Sequence, residues 1–337
     1  MKKRFFIAIL SMYSSILAMA QTTAPSQEDL SVGSVPQGLS GLQLDSTRQA
    51  ALEDAIKQKD YKRAETILVE ETERDPKSIR TAKLLEIAGG LLFLDGQYLN
   101  SAIAWKKAES IAPLDDRSKF SLAMAYIKLD RRDWARPELE KLSVAQPRNS
   151  LYLYWLARLD YDAQNYNPAI ARLQKVVEFD PSMMRAYDLV GLCYDYLGQF
   201  TEAINNYNRA VELNHQQSKP SPWPHVNLAI SLISVNRLPE AEKNLREALQ
   251  YDAQLPQAHY QLGRVSEMQG EQKAALQSLN KAAELDPSYA EPHYLLGRIY
   301  QKLGKRELAN AEIAKFHELK NNVETQPKSQ QPIQETK

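Results

Sequence analysis

The chain has 337 residues, with 42 Lys and Arg balanced by 42 Asp and Glu, and a single cysteine, Cys193. Beyond residue 4 no basic block exceeds two residues (Lys106-Lys107, Arg131-Arg132). This disfavours a nucleic-acid partner, which needs a basic surface. One cysteine excludes an internal disulfide.

In chain order, Lys2, Lys3 and Arg4 precede an apolar run from Phe5 to Leu17 and a small-x-small triplet, Ala18-Met19-Ala20. That is the pattern of a cleaved secretory signal over 1–20. The run is too short and too rich in serine for a good spanning helix, which needs about 20 apolar residues. No later run is long enough, so no membrane span is expected in the mature chain, which is expected to be exported, periplasmic or secreted. An uncleaved anchor is the less favoured alternative. Residues 21–44 are rich in Ser, Gly, Pro and Gln and read as a flexible linker; 323–337 read as a disordered tail.

Between them the punctuation is periodic. Pro113, Pro147 and Pro181 lie 34 apart, as do Ala248 and Ala282, and Gly263 and Gly297. Pro76 to Pro113 spans 37 and Gly191 to Ala229 spans 38, which implies insertions of three and four residues. Eight units follow: 45–81, 82–115, 116–149, 150–183, 184–221, 222–255, 256–289 and 290–322. Each reads as two helices. The first carries apolar or small residues at helical spacing (Leu189, Val190, Cys193, Tyr194) and often ends before a glycine: Gly96, Gly198, Gly270, Gly304. The second carries a small residue near its start, as at Ala64, Ala135, Ala203, Ala241, Ala275 and Ala309, which lets helix backbones approach closely. Pro137 falls early in the second helix of unit three, where a start at Asp133 would accommodate it.

This skeleton resembles the tetratricopeptide repeat family. The family's G…Y…A…P pattern matches Gly191, Tyr194 and Ala203 in unit five, Gly263, Ala275, Ala282 and Pro287 in unit seven, and Gly297, Tyr300 and Ala309 in unit eight. The resemblance implies an all-α, right-handed superhelical solenoid of about eight helix–turn–helix repeats. A lone pair cannot bury its apolar face, so neighbours must stack. Where most units carry alanine late in the second helix, unit eight has Phe316, read as a terminal cap.

No HExxH, GxSxG or Walker loop occurs, so no catalytic residue, cofactor or metal ligand is assigned and an enzyme is not expected. His225, His259 and His293 lie 34 apart. Equivalent positions in adjacent repeats are on the order of 10 Å apart, too far for zinc bonds of about 2.0–2.1 Å, so they read as packing residues. Cys193 reads as core.

The resemblance implies that first helices line a concave groove that holds a protein or peptide. At those positions stand Tyr154, Arg158 and Tyr161 in unit four, and Arg185 and Tyr196 in unit five, where Asp188 and Asp195 also fall. Trp223 stands in unit six, Tyr260 and Arg264 in unit seven, and Tyr294 and Arg298 in unit eight. Tyr154/Arg158, Tyr260/Arg264 and Tyr294/Arg298 share one spacing of four residues, hence one helix face. Such pairs either recognise a partner or stack between units; Tyr, Trp and Arg are the side chains enriched in binding hot spots, which favours recognition. The family's chaperone-binding type, with its Lys/Asn carboxylate clamp, is not visible, since the clamp positions hold residues such as Leu192 and Asn227. The resemblance implies a non-catalytic scaffold of the bacterial envelope, in settings such as assembly of secretion, pilus or polysaccharide-export machinery. A glycan or small-ligand binder on the same groove is the alternative.

Overall fold

A computed structural model of the chain describes residues 42–325, with side chains to 322. The expected signal, most of the linker and the end of the tail lie outside these residues. Sixteen α-helices and no strand occur among the described residues. They form two compact bodies, 42–163 and 164–325.

The first body holds α1 (Ser46–Lys57), α2 (Tyr61–Thr72), α3 (Ile79–Leu94), α4 (Tyr98–Glu109), α5 (Asp116–Lys128), α6 (Arg132–Ala145) and α7 (Ser150–Asp162). Side-chain caps start most of these helices. Asp45, Ser78 and Asp115 accept the amides of Arg48, Thr81 and Ser118, satisfying donors that have no partner inside the helix. Helix α6 begins at Arg132, one residue before the expected start, and Pro137 lies inside it. Pro137 and Asp133 are both exposed, so the Asp133 carbonyl that loses its helical donor faces water.

The second body holds α8 (Tyr166–Phe179), α9 (Met184–Tyr196), α10 (Phe200–Asn214), α11 (Trp223–Ser234), α12 (Leu238–Tyr251), α13 (Pro256–Gln269), α14 (Gln272–Leu285), α15 (Ala290–Lys302) and α16 (Arg306–Thr325). Helix α16 continues past residue 322, where the tail was expected to begin. Punctuation here comes from aspartates: Asp180, Asp252 and Asp286 each accept the amide two residues on, turning the chain between helices.

Within each body, successive helices pack in antiparallel pairs, and the first helices of neighbouring pairs also touch: α3 with α5, and α9, α11, α13 and α15 in series. The close approach inside a pair explains the small residues. A Cβ on Gly191 would lie 2.5 Å from the Tyr207 ring, and one on Gly263 would lie 2.6 Å from Leu279. Both partners sit sixteen residues on, and Ala123/Leu139 and Ala229/Leu245 repeat that offset with all four side chains buried. Each buried leucine contributes about 2 kcal/mol of apolar burial.

The turn between paired helices takes a left-handed residue each time. Glycine supplies it at Gly96, Gly198, Gly270 and Gly304, but Lys59, Asp130 and Asn236 adopt φ of 57–60° in the equivalent place. The glycine signal therefore marks only some of these turns. The four-residue insertion falls between α10 and α11. There Asn214, fully buried, donates to the Ser221 carbonyl and accepts the Ser221 amide, both at 2.8 Å, and so ties the longer loop shut.

Candidate functional site

In the first body, α7 carries Tyr154, Arg158 and Tyr161. Tyr154 is buried, with its ring edge-on to Trp155 at 5.7 Å. Arg158 donates to Asp162 at 2.9 Å and lies over Tyr161 rather than Tyr154. Asp162 also receives Arg132, and Asp160 receives Arg136. A dense ion-pair lattice therefore holds this face.

In the second body the series α9, α11, α13 and α15 carries the remaining candidates. Arg185 is half-buried, and burial lowers its guanidinium from 12.5 to about 10. Tyr196 stacks on Tyr166, ring centroids 4.8 Å apart and nearly parallel. Trp223 is buried. Tyr260 is only 5% exposed and packs on Tyr289 at 5.2 Å. Burial pushes its hydroxyl up to about 12, so it stays protonated.

Arg264, by contrast, is half-buried with one neutral contact, a hydrogen bond to Gln261 Oε1 at 2.6 Å, and forms no ion pair among the described residues. On the next helix Arg298 is 41% exposed, donates to Glu267 at 3.2 Å and lies 6.0 Å from the Tyr294 ring. Lys302 reaches the same Glu267. Three cations and two carboxylates thus stand on two touching helices, with Glu267 already serving Arg298 and Lys302 and Glu291 serving Lys320.

Tyr154, Trp223 and Tyr260 are packing side chains with little surface to offer a partner. The other candidates keep accessible atoms. Asp188 and Asp195, also expected on the groove, are buried as well. Asp188 accepts the amide of Asn227 on both oxygens, at 3.0 and 3.2 Å. Asp195 accepts the hydroxyls of Tyr207 at 2.9 Å and Ser231 at 2.6 Å. Burial, opposed by those hydrogen bonds and reinforced by Asp188, raises the Asp195 carboxyl to about 7. Asn227, a clamp position in the chaperone-binding type, is committed to Asp188.

The three spaced histidines meet different neighbours: His225 meets Asn244, His259 the Ala253 carbonyl, and His293 Glu312. Cys193 is buried. Phe316 lies half-buried with its ring 5.4 Å from Tyr294.

Comparison with known proteins follows the same pattern. Family models described as TPR repeat and as tetratricopeptide repeat match residues 268–304 and 290–322. Residues 268–322 thus carry the tetratricopeptide-repeat pattern. A third model, anaphase-promoting complex, cyclosome, subunit 3, matches residues 138–210 of the repeat protein. Among curated proteins, anaphase-promoting complex subunit 3 of Dictyostelium discoideum is 33% identical over 73 residues, 22% of this chain and 8% of that one. Heat shock protein STI1 of Saccharomyces cerevisiae is 29% identical over 115 residues, 34% of this chain and 19% of that one. The chain thus spans well under two thirds of either relative.

Among solved structures, a tetratricopeptide repeat protein from Parabacteroides merdae superposes with a TM-score of 0.59 at 17% identity, over 79% of this chain and 98% of that one. PilW, a type IV pilus biogenesis factor, gives 0.56 at 19%, over 63% and 94%. These likenesses concern the fold. No helix among the described residues is long and apolar enough to cross a membrane.

Proposed function

We propose that the repeat protein is a non-catalytic scaffold that holds an extended peptide or partner helix on the first-helix face of its second body. The observation that carries this reading is Arg264: a half-buried arginine with no ion pair among the described residues, on the helix next to Arg298, Lys302 and Tyr294. An arginine without a carboxylate partner suits an anionic or carbonyl-rich segment, and arginine beside tyrosine is a hot-spot composition. The partner is therefore a segment bearing carboxylates. The basic, apolar and small-residue order of residues 2–20 supports an exported, envelope setting. Type IV pilus biogenesis, the role of PilW, is one setting in which such a scaffold would serve.

The test is crosslinking in the native envelope followed by mass spectrometry, with an Arg264→Ala/Arg298→Ala variant in parallel and circular dichroism to confirm its helices. A protein captured by the wild type and lost in the variant supports the reading. Equal capture in both refutes this face. Absence of any captured protein, with thermal stabilisation by a sugar or small acid, would favour the glycan and small-ligand alternative.

A further inference from the structure

The inserted loop begins at His215, directly after α10. Its ring meets His225 of α11, with centroids 5.4 Å apart, and its Nδ1 is 3.0 Å from the Tyr251 hydroxyl at the end of α12. Glu247, one turn before Tyr251, places a carboxylate oxygen 3.3 Å from His225 Nδ1. One ligand atom from each of His215, His225 and Glu247 falls within 4.8 Å of the others. We propose that these three residues form a binding site for a divalent transition-metal ion, zinc by preference.

Donor chemistry is the first argument. Two imidazoles and one carboxylate are the donor set of zinc sites that keep a fourth position open. Spacing is the second. Tetrahedral bonds of about 2.0–2.1 Å put ligand atoms about 3.4 Å apart, so closure from 4.8 Å requires up to about 1.4 Å of movement. His215 is exposed and Glu247 half-buried, so both can supply it, while His225 is held in the core.

The third argument is independent of these. His225 is fully buried, yet its Nε2 has no hydrogen-bond partner, while Nδ1 meets Asn244 Oδ1 at 3.0 Å. A buried ring nitrogen without a partner is costly in a purely structural histidine. His293 occupies the equivalent position two repeats (68 residues) on and settles with one carboxylate, Glu312, and no second histidine. The insertion is what brings His215 to the cluster. A bound ion would fasten that loop to the next repeat. The proposal does not depend on the peptide-binding reading.

The test is titration of the purified, untagged full chain with zinc against a chromophoric chelator, with a parallel thermal melt. Expected is one equivalent bound, a raised melting temperature, and loss of affinity by about tenfold or more in both His215→Ala and Glu247→Gln. Loss of a group that only hydrogen-bonds to a metal ligand already costs about 10–100-fold. Both substitutions lie at accessible side chains, so the fold survives them, and His293→Ala leaves affinity unchanged. No zinc binding by the wild type, or binding unaffected by either substitution, overturns the site.

Discussion

Replacing Gly191 by alanine tests whether close helix approach, rather than helix propensity, decides that position. Propensity alone favours alanine by about 1 kcal/mol. The new Cβ would sit 2.5 Å from the Tyr207 ring, and Tyr207 is fully buried. Ordinary carbon contacts are about 3.5–4.0 Å, so the ring must retreat by about 1 Å. Overpacking costs about 1–3 kcal/mol. The retreat also draws the Tyr207 hydroxyl from Asp195, and weakening a hydrogen bond to a buried carboxyl costs about 1–3 kcal/mol. The net expectation is a loss of about 2–4 kcal/mol. Because repeat arrays open in parts, the assay is hydrogen exchange of α9 and α10 peptides, alongside urea unfolding. The control is Gly90→Ala, where nothing lies within 4 Å of the added Cβ, and which should stabilise by about 0.5–1 kcal/mol. Adding Tyr207→Leu to Gly191→Ala should recover part of the loss, because Ala123/Leu139 and Ala229/Leu245 already pair alanine with leucine at this offset. A Gly191→Ala protein as stable as the wild type would refute the reasoning.

Asp195 carries a pH dependence. Its folded pKa, about 7, lies above its ordinary 3.8, so the folded chain binds the extra proton between those values. Stability should therefore fall as pH rises from about 4 to about 7, by roughly 4 kcal/mol, and level off above; Asp195→Asn should flatten that slope in urea midpoints. Lys59→Gly should raise stability by about 1 kcal/mol in a urea melt, because Lys59 holds φ at 58°. Tyr260→Ala should act on folding first, costing about 3–5 kcal/mol in a melt, whereas Arg264→Ala should leave the melt within about 0.5 kcal/mol and reduce peptide capture.

Helix pairing is legible in the sequence because packing repeats every 34 residues and leaves Gly, Ala and Leu at fixed offsets. The buried polar groups follow no such period. Glu71, fully buried, is held by Arg48, Arg74 and Arg80 from three places in the first body. Asp188 is held by Asn227, 39 residues away, and Asp195 by Ser231, 36 away. Such partners are chosen by geometry between repeats, and a carboxylate on a first helix looks the same in sequence whether it faces a groove or a neighbour. His215 is hidden for another reason. It belongs to the insertion, which a periodic alignment treats as a gap.

Periodicity also places a side chain on a face without saying whether something covers it, and the two tyrosines at one repeat position show the difference. Tyr260 and Tyr294 are equivalent by number, 34 residues apart. The ring at Tyr260 is covered by Tyr289, which arrives with the next helix pair, and only 5% of the residue stays exposed. No further pair follows α16 among the described residues, so Tyr294 meets Phe316 of its own pair and stays half-buried. Inner repeats thus consume their aromatic residues in stacking, and the last repeat keeps its own available. Arg298, four residues beyond Tyr294, lies over that remaining ring, with Lys302 one turn on. If the peptide-binding reading holds, partner affinity should drop more for substitutions at Tyr294 and Arg298 than for any pair further toward the N-terminus of the second body.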